Sequence, residues 1–235
     1  LDAINALTPQ HVQEGLSDTH ARVRTHAVRL SERFLRESPN LLKDLLPLCH
    51  DESEHVRFQL AFSLGESSAP AAVDALTVLA KDPQNDRDIR TALLSSVGRN
   101  ADQLAAALLA DPATTTQNHV RSIISELGLI MGANPDASQS LTLLTTVTSD
   151  SYSLATQQLA LAALGEGLSR RGASVTSLLA NDAVSSTLKH QVQHLFDRAA
   201  RSASDNSQTE ADRQHAIQLL AYADFATAAL YLPDF

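Results

Sequence analysis

VRFQLAFSLG, residues 56–65, begins and ends with residue pairs that recur at regular intervals along the chain. The opening pair, a β-branched residue followed by Arg, occurs four times, at Val23-Arg24, Val56-Arg57, Ile89-Arg90 and Val120-Arg121. The steps between those arginines are 33, 33 and 31 residues. The closing pair, an apolar residue followed by Gly, occurs at Leu64-Gly65, Val97-Gly98, Leu127-Gly128 and Leu164-Gly165. Self-similarity at this period predicts an array in which each unit buries its apolar face against its neighbours.

The composition favours helices over strands. Apolar residues make up 43% of the 235-residue chain, whereas aromatic residues make up only 4% and Trp is absent. Ala and Leu dominate the apolar set and suit close helix packing, whereas a sheet would want Val, Ile, Tyr and Phe. The chain shows no alternating apolar and polar run of strand length. The sequence therefore predicts an all-α fold, an α-solenoid of stacked antiparallel helix pairs.

Helix-breaking residues divide the chain into pairs of helices within one predicted domain over residues 1–235. Thr8-Pro9 opens the first helix, because Thr can cap a helix and Pro fits the first helical position. The predicted parts are regular repeats over about 8–131, degenerate repeats over 134–200 that include a pair at 175–179 and 184–200, and an irregular terminal pair over 209–232.

A charged ladder is expected to run along the turns inside the pairs. Each repeated Arg follows the first core residue of a second helix, so its side chain faces the turn rather than the core. The turn Asp of its own unit, or of the next unit, can accept from the guanidinium in a charge-assisted and sometimes bidentate pair. The expected ladder residues are Asp18, Arg24, Asp51, Arg57, Asp82, Arg90, Asp111 and Arg121. The alternative is that the arginines form a basic stripe for an acidic partner.

The repeated pattern resembles a known repeat family. A turn Asp, then Val-Arg, then Ala or Leu, then Leu-Gly, after a first helix opened by Pro, looks like the short bacterial form of the HEAT repeat. The resemblance covers residues 8–131 well and residues 134–200 only in their helix pattern. It implies stacked helix pairs whose second helices line a concave face that holds partners.

A narrower resemblance rests on three segments, LTPQH at 7–11, RVRTHAVRL at 22–30 and VRFQLAFSLGE at 56–66. They are similar to the HEAT-repeat region of large secreted bacterial dehydrogenase-like proteins, which pair a propeller with a C-terminal Cys-x-x-Cys-His haem segment. The resemblance implies a fragment of a multidomain parent with dehydrogenase-like and cytochrome c-like parts, in an extracytoplasmic location. This chain contains no Cys-x-x-Cys-His, so haem binding would belong to another part of such a parent.

Side chains on the outward face of the second helices are candidates for binding a partner. Positions two, six and ten after the apolar residue of each Val-Arg pair point away from the core. Phe58 and Phe62 occupy two of these positions, and exposed aromatic residues are candidate anchors. The binding residues expected on this face are Arg29, Phe58, Phe62 and Arg99. The alternative is that both Phe side chains pack between units and the rest of the face is solvated.

Charge and hydropathy limit the kinds of partner. The net charge is −9 with His neutral, and the basic residues are scattered along the sequence. Phosphate binding depends on clustered Lys and Arg, so nucleic acid is not expected. No apolar run approaches the roughly 18 residues that a membrane-spanning helix needs. The expected partner is therefore a protein, either another domain of the parent chain or a separate molecule.

No catalytic residue, metal site or cofactor is predicted. His190 and His194 stand four residues apart, a spacing that can hold a transition metal, but no third ligand follows at that spacing. His50, Asp51 and His55 surround a turn and could hold a metal, but polar residues are common in turns, which explains their presence equally well. No Ser lies in a strained strand-to-helix turn. Cys49, the single cysteine, lies in an apolar helix and is expected to be a buried structural thiol.

These observations predict a non-catalytic HEAT-like module for interaction, scaffolding or spacing. The alternative is a HEAT-like enzyme domain, similar to a DNA glycosylase or a bilin lyase. A glycosylase would need a basic concave face with aromatic residues that stack on DNA, whereas a lyase would bind a tetrapyrrole tightly.

Overall fold

The computed structural model describes residues 6–35, 38–85, 87–149 and 151–223. Every regular element in these ranges is a helix, and no strand occurs in them. The predicted all-α class is confirmed. No helix in these ranges is both long enough and apolar enough to cross a membrane. The helix expected at residues 225–230 lies outside the described residues.

The chain divides into two compact units, residues 1–107 and 108–235. The single domain expected over residues 1–235 stays a prediction. The helices of the N-terminal unit are α1 (Pro9–Leu16), α2 (Ala21–Ser31), α3 (Pro39–Leu45) with a 3-10 turn at Leu46–His50, α4 (Glu54–Leu64), α5 (Pro70–Lys81) and α6 (Arg87–Ser96). The helix α7 (Ala101–Leu109) runs across the boundary between the units.

Local hydrogen bonds set where the helices begin. Thr8 caps α1 through a reciprocal bond with His11, and Pro9 occupies the first helical position as predicted. The turns inside the pairs share another device, in which an Asp Oδ1 accepts from the backbone N–H two residues later. This bond joins Asp18 to His20, Asp51 to Ser53, Asp82 to Gln84 and Asp111 to Ala113, at 2.7, 2.9, 2.9 and 3.1 Å. Asp therefore recurs in these turns because it shapes them.

The second helices of the N-terminal unit form one layer. Helix α4 packs between α2 and α6, while α1 packs against α2 and α3, and α5 packs against α4. Ala27, Leu60 and Leu93 are buried at equivalent positions 33 residues apart on α2, α4 and α6. The sequence period therefore places a core side chain of each copy at the border with its neighbour, where burial stabilises the stack.

The C-terminal unit contains longer and less regular helices. They are α8 (Asn118–Ala133), α9 (Ser138–Val147), α10 (Leu154–Arg170), α11 (Val175–Leu179), α12 (Ser186–Ser204) and α13 (Glu210–Leu220), with a 3-10 turn at Thr114–Thr116 before α8.

Glycine allows α8 and α10 to pack with their backbones in contact. A Cβ at Gly132 of α8 would meet the carbonyl oxygen of Leu164 and lie 2.8 Å from the nitrogen of Leu168 in α10. A Cβ at Gly167 of α10 would meet the carbonyl oxygen of Leu129 in α8. Because backbone atoms cannot move aside as a flexible side chain can, both positions require glycine.

The last helices pair differently from the expectation. Helix α12 packs against α13 and α9, and α13 also packs against α10. The pair in this part of the chain is therefore α12 with α13, rather than 175–179 with 184–200. Helix α11 has five residues and α12 has 19, so α11 is too short to cover the apolar side of α12 and serves as a connection.

Candidate interaction surface and the turn ladder

Arg24 forms the bidentate ion pair with a turn Asp that the sequence predicts. Its Nε and Nη2 atoms donate to the two carboxylate oxygens of Asp51, in the next repeat, at 2.7 and 2.8 Å. Its Nη1 atom donates to the carbonyl oxygens of Asp18 and Thr19 in its own turn. The guanidinium and the carboxylate are both buried, with side-chain exposures of 11% and 5%. The bidentate pair therefore fixes the register between the first two repeats.

The charges at this contact reinforce each other. Burial alone would raise the pKa of Asp51, but the bonds from Arg24 and the Ser53 N–H, with the charges of Arg24 and Arg57, hold that pKa below its ordinary value. The bond to Asp51 likewise raises the pKa of Arg24. Asp51 is therefore ionised at neutral pH, when the ion pair is complete.

Arg57 repeats the contact with a neutral acceptor. Its Nη1 donates to the carbonyl oxygen of Asp51 at 2.6 Å, and its Nε donates to Oδ1 of Asn85 at 2.9 Å. The acceptor expected from the sequence in this turn was Asp82, whereas the acceptor in the structure is Asn85. The amide nitrogen of Asn85 donates to the Leu79 carbonyl, which turns its oxygen towards Arg57, whereas Oδ1 of Asp82 accepts from Gln84.

In each helix pair, the ladder position is the fourth residue of the second helix. Arg24, Arg57, Arg90 and Arg121 occupy it in α2, α4, α6 and α8, and Gln157 and Arg213 occupy it in α10 and α13. Gln157 donates to the carbonyls of Val147 and Ser149, and Arg213 donates to that of Ala203, as Arg24 does in its own turn. Neither residue was expected from the sequence. Their signal is a capping Ser or Thr, Ser153 or Thr209, four positions earlier.

Arg121 departs from the ladder. The 3-10 turn at Thr114–Thr116 lengthens the connection from Asp111, and Nη2 of Arg121 lies 3.4 Å from Nε2 of His215 in α13. Burial, followed by the charge of Arg121, lowers the pKa of His215. The expected step from Arg90 to Asp111 involves residues of different units and stays a prediction.

The outward side of α2, α4 and α6 carries the expected binding residues. We call this surface the second-helix face, and its members occupy equivalent positions of neighbouring helices or the turns that follow them. They are Arg22, Arg29 and Arg33 from α2 and its turn, His55, Phe58, Phe62 and Glu66 from α4 and its turn, and Thr91, Ser95 and Arg99 from α6 and its turn. Arg29, Phe62 and Arg99 are exposed and Phe58 is half-buried, and their common role in binding stays a prediction.

The two phenylalanines form an aromatic pair on this face. Their ring centroids lie 5.1 Å apart at 77°, an edge-to-face arrangement. Phe58 is half-buried, whereas Phe62 is 38% exposed, one of the few large apolar side chains so exposed among the described residues. The alternative, in which both rings pack between repeats, therefore does not hold for Phe62, whereas the ring of Phe58 is partly covered. Phe58 supports the ring of Phe62, which faces solvent.

A groove adjoins the face at the ends of α4 and α6. It has a volume of about 620 Å³, and its lining includes Leu35, Leu42, Glu66 and Arg99. Asn100, which also lines the groove, donates to the carbonyl of Ser67 at 3.1 Å and so ties the turn after α6 to the turn after α4. The groove combines an apolar floor with one acidic and one basic side chain.

The remaining candidates form no metal site. No group of three or more His, Cys, Asp or Glu side chains that could hold a metal occurs among the described residues. His190 and His194 are both exposed on α12, and His50 and His55 are exposed at the end of the 3-10 turn before α4 and in the first turn of α4. Cys49 is buried, its thiol lies 3.6 Å from the Ala75 carbonyl, and burial raises its pKa to about 11. A thiol with that pKa is poorly nucleophilic at neutral pH.

Comparison with known proteins identifies the class. The family model described as HEAT repeats matches residues 9–98 and, in a second overlapping match, residues 42–130. The two matches together span more than half of the chain. The chain therefore belongs to the HEAT-repeat family, and the repeats seen in α1 to α8 are HEAT repeats.

Other comparisons add little. No curated protein matches the chain. Among solved structures, the crystal structure of an engineered protein is 15% identical, with 97% of this chain and 96% of that chain covered and a TM-score of 0.24. A TM-score this low carries no argument about fold or function.

Proposed function

We propose that this chain is a non-catalytic HEAT-repeat module that binds a protein partner through its second-helix face. The observation that carries the proposal is the exposed Phe62 ring, supported edge-to-face by Phe58. An aromatic side chain held in place before binding loses little conformational entropy when a partner covers it. Such residues dominate the binding energy of many protein interfaces.

The charges around the aromatic pair suggest the chemistry of the partner. Arg22, Arg29 and Arg33 line the α2 side of the face, while on the α6 side the exposed Asp88 stands at the position equivalent to Arg22 and Arg99 follows in the turn. Arginines beside an apolar anchor favour acidic residues on the partner and increase the rate of association. We therefore expect a partner that places an apolar side chain at Phe62 and carboxylates opposite α2. The groove at Leu35 and Leu42 offers room for a second apolar side chain.

Site-specific photo-crosslinking tests the proposal. A photoreactive phenylalanine analogue is placed at Phe62 and, in a matched control, at Val78 of α5, which is exposed to the same extent, 38% and 37%. Both proteins are added to an extract of the cells that supply the sequence, irradiated and analysed by mass spectrometry. The proposal predicts one protein crosslinked at position 62 and absent at position 78. Equal crosslinking at both positions, or none at position 62, contradicts it.

The glycosylase-like alternative receives support from one observation. The second-helix face combines arginines with aromatic side chains, as that alternative requires. The net charge of −9, Glu66 on the same face and the absence of Trp favour a protein partner. Retention of duplex DNA at low salt that is lost in R29Q would support the alternative, and no retention would exclude it.

The narrower resemblance extends the proposal to a parent protein. If the module belongs to an extracytoplasmic dehydrogenase-like protein with a cytochrome c-like part, its partner can be another domain of that chain. The full reading frame tests this proposal. A downstream Cys-x-x-Cys-His supports it, and a reading frame without that motif removes it.

A further inference from the structure

A groove of about 430 Å³ in the C-terminal unit gathers basic side chains from one helix. His194, Arg198 and Arg201 of α12 line it, together with Leu154 at the start of α10 and Asp205 and Gln208 from the loop after α12. The three basic residues are four and three positions apart, so they share one helix face. On this face of α12, His190 and His194, the two histidines considered as metal ligands, are followed by Arg198 and Arg201.

A buried amide holds Arg198 in position. The Gln157 side chain is almost wholly buried, and its nitrogen donates to the carbonyls of Val147 and Ser149, both at 2.9 Å. Its oxygen accepts from Nη1 of Arg198 at 3.3 Å. This contact reverses the ladder of the N-terminal unit, where the second helix supplies the cation and the next repeat supplies the acceptor.

The reversal leaves positive charge in the groove. In the first repeat the carboxylate of Asp51 neutralises Arg24, whereas the neutral amide of Gln157 orients Arg198 without cancelling its charge. Because Arg198 is oriented before any ligand arrives, it can present its other N–H groups at little entropic cost.

The carboxylate of the groove is engaged by its own loop. The oxygens of Asp205 accept from the backbone N–H and hydroxyl of Ser207 at 2.9 and 2.7 Å, and from Nε2 of Gln208 at 3.1 Å. These bonds turn it towards its own loop. The residues that line the groove therefore include three basic side chains, His194, Arg198 and Arg201, and one acidic side chain, Asp205.

We infer that this groove binds the phosphate group of a small soluble ligand. Its volume lies within the range of small-molecule sites, roughly 300–1,000 Å³. Two guanidinium forks and an imidazole can each donate to a different oxygen of a tetrahedral oxyanion, whereas a planar carboxylate offers only two oxygens. Leu154, which also lines the groove, is the first residue of the 17-residue helix α10, where the helix dipole favours an anion.

Isothermal titration of the 235-residue chain with inorganic phosphate tests the inference. Chloride keeps the ionic strength constant, and the variants are R198Q, R201Q and R170Q. Arg170 is an exposed arginine elsewhere in the same unit, so R170Q removes the same charge outside the groove. We expect R198Q and R201Q each to raise the dissociation constant at least about tenfold and R170Q to change it less than about twofold.

R201Q carries the test if R198Q unfolds the protein, because Arg201 is exposed. An R170Q variant that binds as weakly as R201Q would show non-specific charge binding and overturn the inference. Wild-type protein without saturable phosphate binding would also overturn it. A parallel titration with acetate distinguishes the source of the oxyanion. Acetate that binds as tightly as phosphate contradicts a phosphate ligand.

Discussion

The Asp51 carboxylate shows how one ion pair can fix the border between two repeats. It accepts both bonds of the Arg24 fork from the preceding repeat while one of its oxygens also shapes its own turn. We expect D51N to lower the free energy of unfolding at neutral pH by about 1–3 kcal/mol, because the amide accepts only one of the two charge-assisted bonds. Urea unfolding measures the loss.

Asp18 provides the matched control. It makes the same turn bond to His20, but no guanidinium among the described residues donates to its carboxylate, and Asn can make that turn bond equally well. D18N should change the free energy of unfolding by less than about 0.5 kcal/mol. Similar losses in D18N and D51N would contradict the role of the ion pair.

The same contact predicts a pH dependence. The folded-state pKa of Asp51 lies below its ordinary value of 3.8, so its stabilisation is fully present above that value and is lost as pH falls through the lowered pKa. The stability difference between wild type and D51N should therefore be constant near neutral pH and shrink below about pH 4. A difference independent of pH across this range would contradict the assignment.

The Cys49 thiol should be inert in the folded protein. Burial raises its pKa to about 11, so almost none of it is thiolate at about pH 8. We expect iodoacetamide to leave the native protein unmodified and to alkylate it fully in denaturing urea, as read by intact mass. Rapid alkylation of the native protein would show that the thiol is exposed.

Sequence reasoning at the residue scale succeeds where chemistry and spacing repeat together. The Val23-Arg24 and Val56-Arg57 spacing predicts guanidinium groups at the turns, and Phe62 follows from the same register. Asn85 could not be predicted, because the acceptor is selected by the backbone path of its turn. Gln157 was missed because an amide can replace a guanidinium as donor to turn carbonyls without resembling it in sequence.

At the scale of helices, the backbone contact between α8 and α10 is the most sensitive packing feature. We expect G132A to lower the free energy of unfolding by about 1–3 kcal/mol or more, because the added methyl group meets backbone atoms of α10. Gly98 is the control, since a Cβ there meets nothing within 4 Å. G98A should be neutral or stabilise by up to about 1 kcal/mol. Equal losses in both variants would contradict the close approach.

Helix pairing was predictable where the period holds. The period of 33 residues assigns α2, α4 and α6 to one layer, and the structure packs them side by side. Beyond α10 the period fails, because the loop and the short helix α11 separate α10 from α12. The pairing of α12 with α13 therefore depends on tertiary contacts that spacing alone does not encode.

At the scale of the whole molecule, charge is distributed unevenly. The chain carries a net charge of −9, yet arginines gather along the α2 side of the second-helix face and in the groove of α12. Composition alone described the basic residues as scattered, because it does not show that Arg22, Arg29 and Arg33, or His194, Arg198 and Arg201, lie on one side of a single helix or the turn after it. The folded repeats therefore create local basic surfaces that the overall charge conceals.

The proposed role of the second-helix face is to bind a protein through Phe62. The most direct measurement is the dissociation constant of the partner crosslinked at position 62, for wild type, F62A and V78A. We predict that F62A raises the constant at least about tenfold, as loss of an aromatic anchor does, and that V78A leaves it unchanged. Equal dissociation constants for wild type and F62A, with both proteins folded, would contradict the account.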